Sequence, residues 1–199
     1  MNYRRISWAR LISDILSPPV IWGLMAFPIA FYSADSQERA VVWALTYSVI
    51  VCILPALYIG YMVWRGHITD IHVRVREQRI RPFVVSVICT VVAWLLFQWM
   101  EAPALLPLFT LFSMIQLVVV LLITMTWQIS LHSMTITGAV VVAGALYGPG
   151  TALLLSPLIP VVGAARIKLR RHTLAQVIAG GILGALLTAV MVALSLSAQ

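Results

Sequence analysis

The chain has 199 residues, 62% of them hydrophobic and 10% charged, with a formal net charge of +7 at neutral pH. Soluble domains carry roughly 45–50% apolar and about 25% charged residues, so a fold of this size cannot hide the excess from water. With a mean hydropathy of +1.01, a water-soluble globular fold is excluded, and the positive charge belongs to membrane-flanking stretches rather than to a nucleic-acid surface.

Residues 1–15 read as an interfacial lead-in, with Arg4, Arg5 and Arg10 interleaved among Ile6, Trp8, Leu11 and Ile12. They do not read as a cleavable signal, because no apolar core follows the arginines closely and no small-x-small site appears. A spanning helix needs about 20 apolar residues. Runs at 16–34, 40–64, 83–100, 103–126, 133–148, 151–165 and 174–197 meet or approach that length. They predict an all-α, polytopic transmembrane bundle of about six to seven spanning helices, forming one integral membrane domain over 1–199.

Several residues refine this outline. Gly148-Pro149-Gly150 marks a tight turn between the fifth and sixth runs. Pro28, Pro55, Pro107, Pro157 and Pro160 lie inside apolar runs and predict kinks, which neighbouring helices can satisfy. Gly180, Gly181 and Gly184 give the last helix a small-residue face suited to close helix contact. Cys52 and Cys89 lack a spaced thiol or histidine partner and read as small buried hydrophobes.

The positive stretches are Arg4–Arg10, Arg65–Arg81 and Arg166–Arg171; the intervening connections hold Asp35, Glu38, Arg39 and Glu101. Two predicted helices separate the first positive stretch from the second and four separate the second from the third, an even number each time, so all three share one face. Lysine and arginine concentrate on the cytoplasmic side, which places the N-terminus there. The expected location is a bacterial or archaeal plasma membrane.

Three polar islands could carry chemistry on that face. The first, Arg65 to Pro82, holds five arginines in 18 residues. It suits either anchorage on anionic headgroups or a cradle for phosphate, whose oxygens match guanidinium forks. His67, Asp70 and His72 fall short of a metal site without a further ligand, and Asp70 is expected to pair with an arginine instead. The second island is Trp127 to Ser133, with His132 and Ser130; the third is Ala165 to Gln176. His172 and Gln176 are four apart and share a helix face, beside a helix N-terminus that offers amides to an anion. Arginines, two histidines, a serine and an amide together suit phosphoryl transfer.

Three motifs in these islands resemble those of the phosphatidic-acid-phosphatase type 2 family, which shares its site design with vanadium haloperoxidases. The family's lysine, six residues, then Arg-Pro is matched by Arg74, six residues, then Arg81-Pro82. Its Pro-Ser-Gly-His is matched by Ile129-Ser130-Leu131-His132. Its Ser-Arg, five residues, His, three residues, Asp is matched by Ala165-Arg166, five residues, His172, three residues, Gln176. The motif-bearing part spans about 70–184. The resemblance implies that His172 is the nucleophile and His132 the acid for the leaving alcohol. It implies that Arg74, Arg81 and Arg166 bind phosphate oxygens, with Ser130 donating a hydrogen bond. No metal or other cofactor is expected, because the few acidic residues offer no close pair to hold magnesium. Gln176 stands where the family has an aspartate: it can accept a hydrogen bond from the imidazole but supplies no negative charge.

Two functions follow as expectations. One is a metal-independent lipid phosphatase, hydrolysing a phosphate monoester or pyrophosphate of an isoprenoid or glycerolipid through a phosphohistidine. The other is a catalytically impaired relative that binds lipid phosphate or serves as a subunit of a membrane complex, with partner membrane proteins or copies of itself. A channel is disfavoured by the near-absence of ionisable residues in mid-run. Prenyl- and phosphatidyltransferases are disfavoured because six acidic residues include no close Asp-x-x-x-Asp pair to hold magnesium.

Overall fold

Ser7 starts α1 (Trp8–Ile15), its hydroxyl accepting from the Arg10 amide at 3.4 Å. In the computed structural model, which describes residues 7–71, 73 and 75–197, Leu16 and Ser17 separate this helix from α2 (Pro18–Ser33), which opens on Pro18-Pro19. Proline lacks an N–H, which a first helical turn leaves unpaired in any case, so it opens a helix as readily as it stops one. The two helices meet at 46°. Ser36 caps α3 (Gln37–Tyr47), which runs through a π turn at Ser48–Ile53 into α4 (Leu54–Trp64). Pro55 accounts for the π turn. It has no N–H for the ladder, and Leu54 reaches back to the Val49 carbonyl, so the helix widens there rather than breaking.

α5 (Ile80–Trp99) and α6 (Leu105–Thr126) form an antiparallel pair. α7 (Leu131–Tyr147) turns at Gly148, whose φ of +92° favours glycine, into α8 (Pro149–Leu155) and α9 (Leu158–Lys168). α10 (Leu174–Ser197) follows. No strand occurs among the described residues.

Among the described residues, five stretches are long and apolar enough to cross a bilayer: Gln37–Trp64, Glu77–Trp99, Leu105–Thr126, Pro149–Lys168 and Leu174–Leu196. The bent pair α1–α2 makes a sixth if it counts as one span. The expected crossing at 133–148 is the one that falls short. Its helix has 17 residues, about 25 Å at 1.5 Å per residue, against a hydrocarbon core of about 30 Å. α7 escapes that requirement because it is enclosed: its residues from His132 to Gly138 are all buried, behind α2, α9 and α10.

Close approach of α10 to α7 holds the centre together. A Cβ on Gly180 would meet the Ser130 carbonyl, and one on Gly184 the Met134 carbonyl, so only glycine permits this spacing. Elsewhere the core joins Tyr47, whose hydroxyl shares a 2.7 Å hydrogen bond with Ser113 and whose ring lies 4.9 Å from that of Phe109. Cys52 belongs to this core, whereas Cys89 is only half-buried. Exposed Trp8, Trp64 and Trp127 ring one end of the bundle, and Tyr32, Trp99 and Tyr147 the other. Such girdles mark the two membrane–water boundaries.

Candidate functional site

Three helix ends build the site, and each is shaped by local hydrogen bonding. α9 ends in a Schellman motif: the Arg171 amide bonds to the Arg166 carbonyl at 3.0 Å, and the Arg170 amide to the Ile167 carbonyl at 2.9 Å. Arg170 takes the left-handed position at φ +52°, where glycine is usual. α10 then opens with a capping box. The Gln176 amide donates to Thr173 Oγ1 at 3.3 Å, and the Thr173 amide to Gln176 Oε1 at 3.1 Å. His172 sits between the two motifs, on a reversal hydrogen-bonded on both sides. α7 opens at buried Ser130, whose amide donates to the Gln176 carbonyl at 3.0 Å. That strap ties the second polar island to the third.

The Gln176 contact fixes the tautomer of His172. Because Oε1 already accepts from an amide N–H, the atom facing His172 Nδ1 at 3.2 Å is an acceptor. Nδ1 therefore carries the proton, and Nε2 of the neutral ring is bare. Burial, followed by the neighbouring Arg166 and Arg79 guanidiniums, pushes His172 down to about 4, opposed in part by the Gln176 hydrogen bond. At neutral pH the ring is uncharged.

α1 supplies what the sequence did not reveal. Buried Ser13 accepts a 2.5 Å hydrogen bond at Oγ from Nη1 of Arg166. His132 Nε2 lies 3.0 Å from the Ser13 carbonyl and 3.3 Å from its Oγ. A carbonyl only accepts, so Nε2 of His132 bears a proton. Arg166 is 4% exposed, and its Nε has no hydrogen-bond partner among the described residues.

A cavity of about 570 Å³ opens against these groups. Asp14, Arg79, His132, Arg166 and His172 line its polar end. Trp22, Val51, Pro55, Ile59, Phe83 and Leu117 line the rest, from α2, the π turn, α4, α5 and α6. The widened helix at Pro55 thus forms one wall.

The sequence-predicted residues divide accordingly. His132, His172 and Arg166 line one cavity, and Gln176 bonds to His172. Arg81 is exposed at the start of α5 and is not among the lining residues. Arg79, two positions earlier, takes the place expected for it, with Nε bonded to the Val73 carbonyl at 2.7 Å. Ser130 is a buried helix cap that accepts from the Ser133 amide and hydroxyl, and it too is absent from the lining. The amide of Gln176, in the first turn of α10, is spent on the capping box instead of facing an anion. Arg74 lies outside the described residues, as do Arg4, Arg5 and His72. Asp70 does pair with an arginine, Arg171, at 3.9 Å. The link joins the first island to the third.

No family model, curated protein or solved structure matches the chain. Function is therefore argued from the cavity itself. An uncharged imidazole with a bare nitrogen, two guanidiniums and a second imidazole can bind an anion and attack it. The apolar walls can hold a hydrocarbon tail.

Proposed function

We propose that this chain is a membrane lipid phosphatase, which removes phosphate from a monoester or pyrophosphate of an isoprenoid or glycerolipid. The observation that carries the reading is the two-natured cavity, polar at one end, where the guanidiniums of Arg79 and Arg166 outnumber the carboxylate of Asp14, and apolar along the rest. An anionic headgroup would lie against Arg166 and Arg79, where the unpaired Arg166 Nε gains an acceptor, and the tail would lie along Trp22, Ile59 and Phe83.

In the reaction, His172 Nε2 forms a bond to phosphorus as the bond from phosphorus to the lipid oxygen breaks. The departing oxygen takes a proton from the imidazolium form of His132. Water then attacks the phosphohistidine, gives its proton back to His132, and releases phosphate with His172 restored. Arg166 and Arg79 offset the charge spread over the equatorial oxygens. The motif resemblance agrees with these roles for His172, His132 and Arg166. It assigns Arg81 a role that Arg79 is better placed to fill.

A second reading has its own support. Gln176 has a full structural role in the capping box, and His132 one in holding α1. A protein that binds lipid phosphate, alone or as a subunit of a membrane complex, would keep both. Phosphate release from polyprenyl and phosphatidyl phosphates by the purified protein separates the two. Hydrolysis by the wild type and none by His172→Ala supports the phosphatase. Tight binding without release in either protein supports the second reading and ends the first. We place the N-terminus and the site on the cytoplasmic side, since Arg10, Arg65, Arg76 and Arg171 flank the site end while Asp35, Glu38 and Glu101 lie at the other.

A further inference from the structure

α1 touches the site, and the helix that carries Arg166, at two points that no motif in the chain announces. At its C-terminal turn Ser13 meets both Arg166 and His132, and at its N-terminal end the Trp8 ring lies 4.8 Å from Lys168 Nζ. Both contacts on the basic side chains fall in α9, so the short helix is clamped to α9 at each end. Its inner face carries Ala9 and Ser13, both buried; Trp8, Leu11 and Ile15 stand exposed on the outer face. An amphipathic helix of this kind lies in the membrane interface.

We propose that Ser13 is a positioning residue for the phosphate site, acting through Arg166 and His132. The inference rests on the lipid-phosphate reading above. A guanidinium has five N–H donors in a rigid fork, so fixing Nη1 on Ser13 Oγ sets where the remaining donors point. The Ser13 carbonyl is one of the last four of α1, which have no partner inside the helix. It holds the proton of His132 on Nε2 and so decides which ring nitrogen bears the lone pair. The interfacial helix thereby becomes part of the phosphate site.

The test compares binding of dodecyl phosphate and dodecanol to the wild type, Ser13→Ala and Ser13→Thr in one detergent. Wild type should prefer the phosphate, and Ser13→Ala should lose about tenfold of that preference with dodecanol affinity unchanged, as removal of one charge-assisted hydrogen bond predicts. Ser13→Thr, which keeps the hydroxyl, should restore it. Undiminished preference in Ser13→Ala overturns the proposal. If Ser13→Ala loses both ligands, Ser13→Thr decides: recovered preference upholds the positioning role, and dodecanol binding without preference rejects it. A wild type indifferent to the phosphate would instead refute the lipid-phosphate reading.

Discussion

At the scale of single residues, the chemistry depends on how His172 is held. Its depressed pKa, about 4 against an ordinary value of 6.5, is also a statement about stability. Between those values the unfolded chain binds a proton that the folded chain refuses. The folded state is therefore fully favoured above about pH 6.5 and loses stability as pH falls from there to about 4, by on the order of 3 kcal/mol in all. Thermal unfolding in detergent should show a fall in Tm across that window, and His172→Gln should remove that component of it. Gln176 offers a second test. Glutamate at this position keeps the capping box, suits the positive end of α10, and adds the charge that stabilises an imidazolium. Loss of the corresponding carboxylate in serine-protease triads costs about 10⁴ in rate. Gln176→Glu should therefore raise initial rates of phosphate release at least tenfold, whereas an unchanged rate would show that the ring needs no counter-charge.

The pairing of His172 with Gln176 was legible in the sequence because four-residue spacing on one turn is a local property. Arg79 was not, since the Arg-Pro pair drew attention to Arg81. Which arginine enters the cavity depends on the Val73 carbonyl, set by a backbone at φ +45° that no residue type announces. Ser13 was hidden for a different reason. Its partners are 119 and 153 positions away, and only packing of α1 on α9 brings them together.

Among the elements, the glycine face of α10 was readable as a packing surface, and the contacts explain why. Gly180 and Gly184 are one turn apart and rest on backbone carbonyls that cannot yield, unlike a flexible side chain. Gly184→Ala should cost about 1–3 kcal/mol or more, as overpacking does, measured as loss of folded protein in denaturant titration. Gly60→Ala on α4 meets nothing within 4 Å and should be neutral or mildly stabilising. Equal effects at the two positions would contradict the account of the α7–α10 contact. Helix ends were less legible. The Schellman turns after α5 and α9 use Glu101 and Arg170 at φ +52°, so the glycine that normally advertises such a turn is missing. Apolar run length located the fifth run, 133–148, but could not show that α7 is enclosed by other helices, which releases it from matching the bilayer.

For the whole molecule, composition was enough to require a membrane-compatible bundle, and alternation of basic and neutral connections was enough to gather the polar islands at one end. The strap from Ser130 to Gln176, the Asp70–Arg171 pair and the contacts of Ser13 tie those islands together. What the sequence could not supply was the cavity, which arises from the π turn at Pro55 and the bend between α1 and α2. The central claim is that this cavity grips a phosphorylated headgroup beside His172. The most direct measurement follows the His172 ring nitrogens by NMR, in isotope-labelled protein, across a pH titration with and without dodecyl phosphate. Free protein should titrate near 4, and the phosphate should raise that value by offsetting Arg166 and Arg79, while dodecanol leaves it in place. A His172 titration that ignores the phosphate would contradict the account.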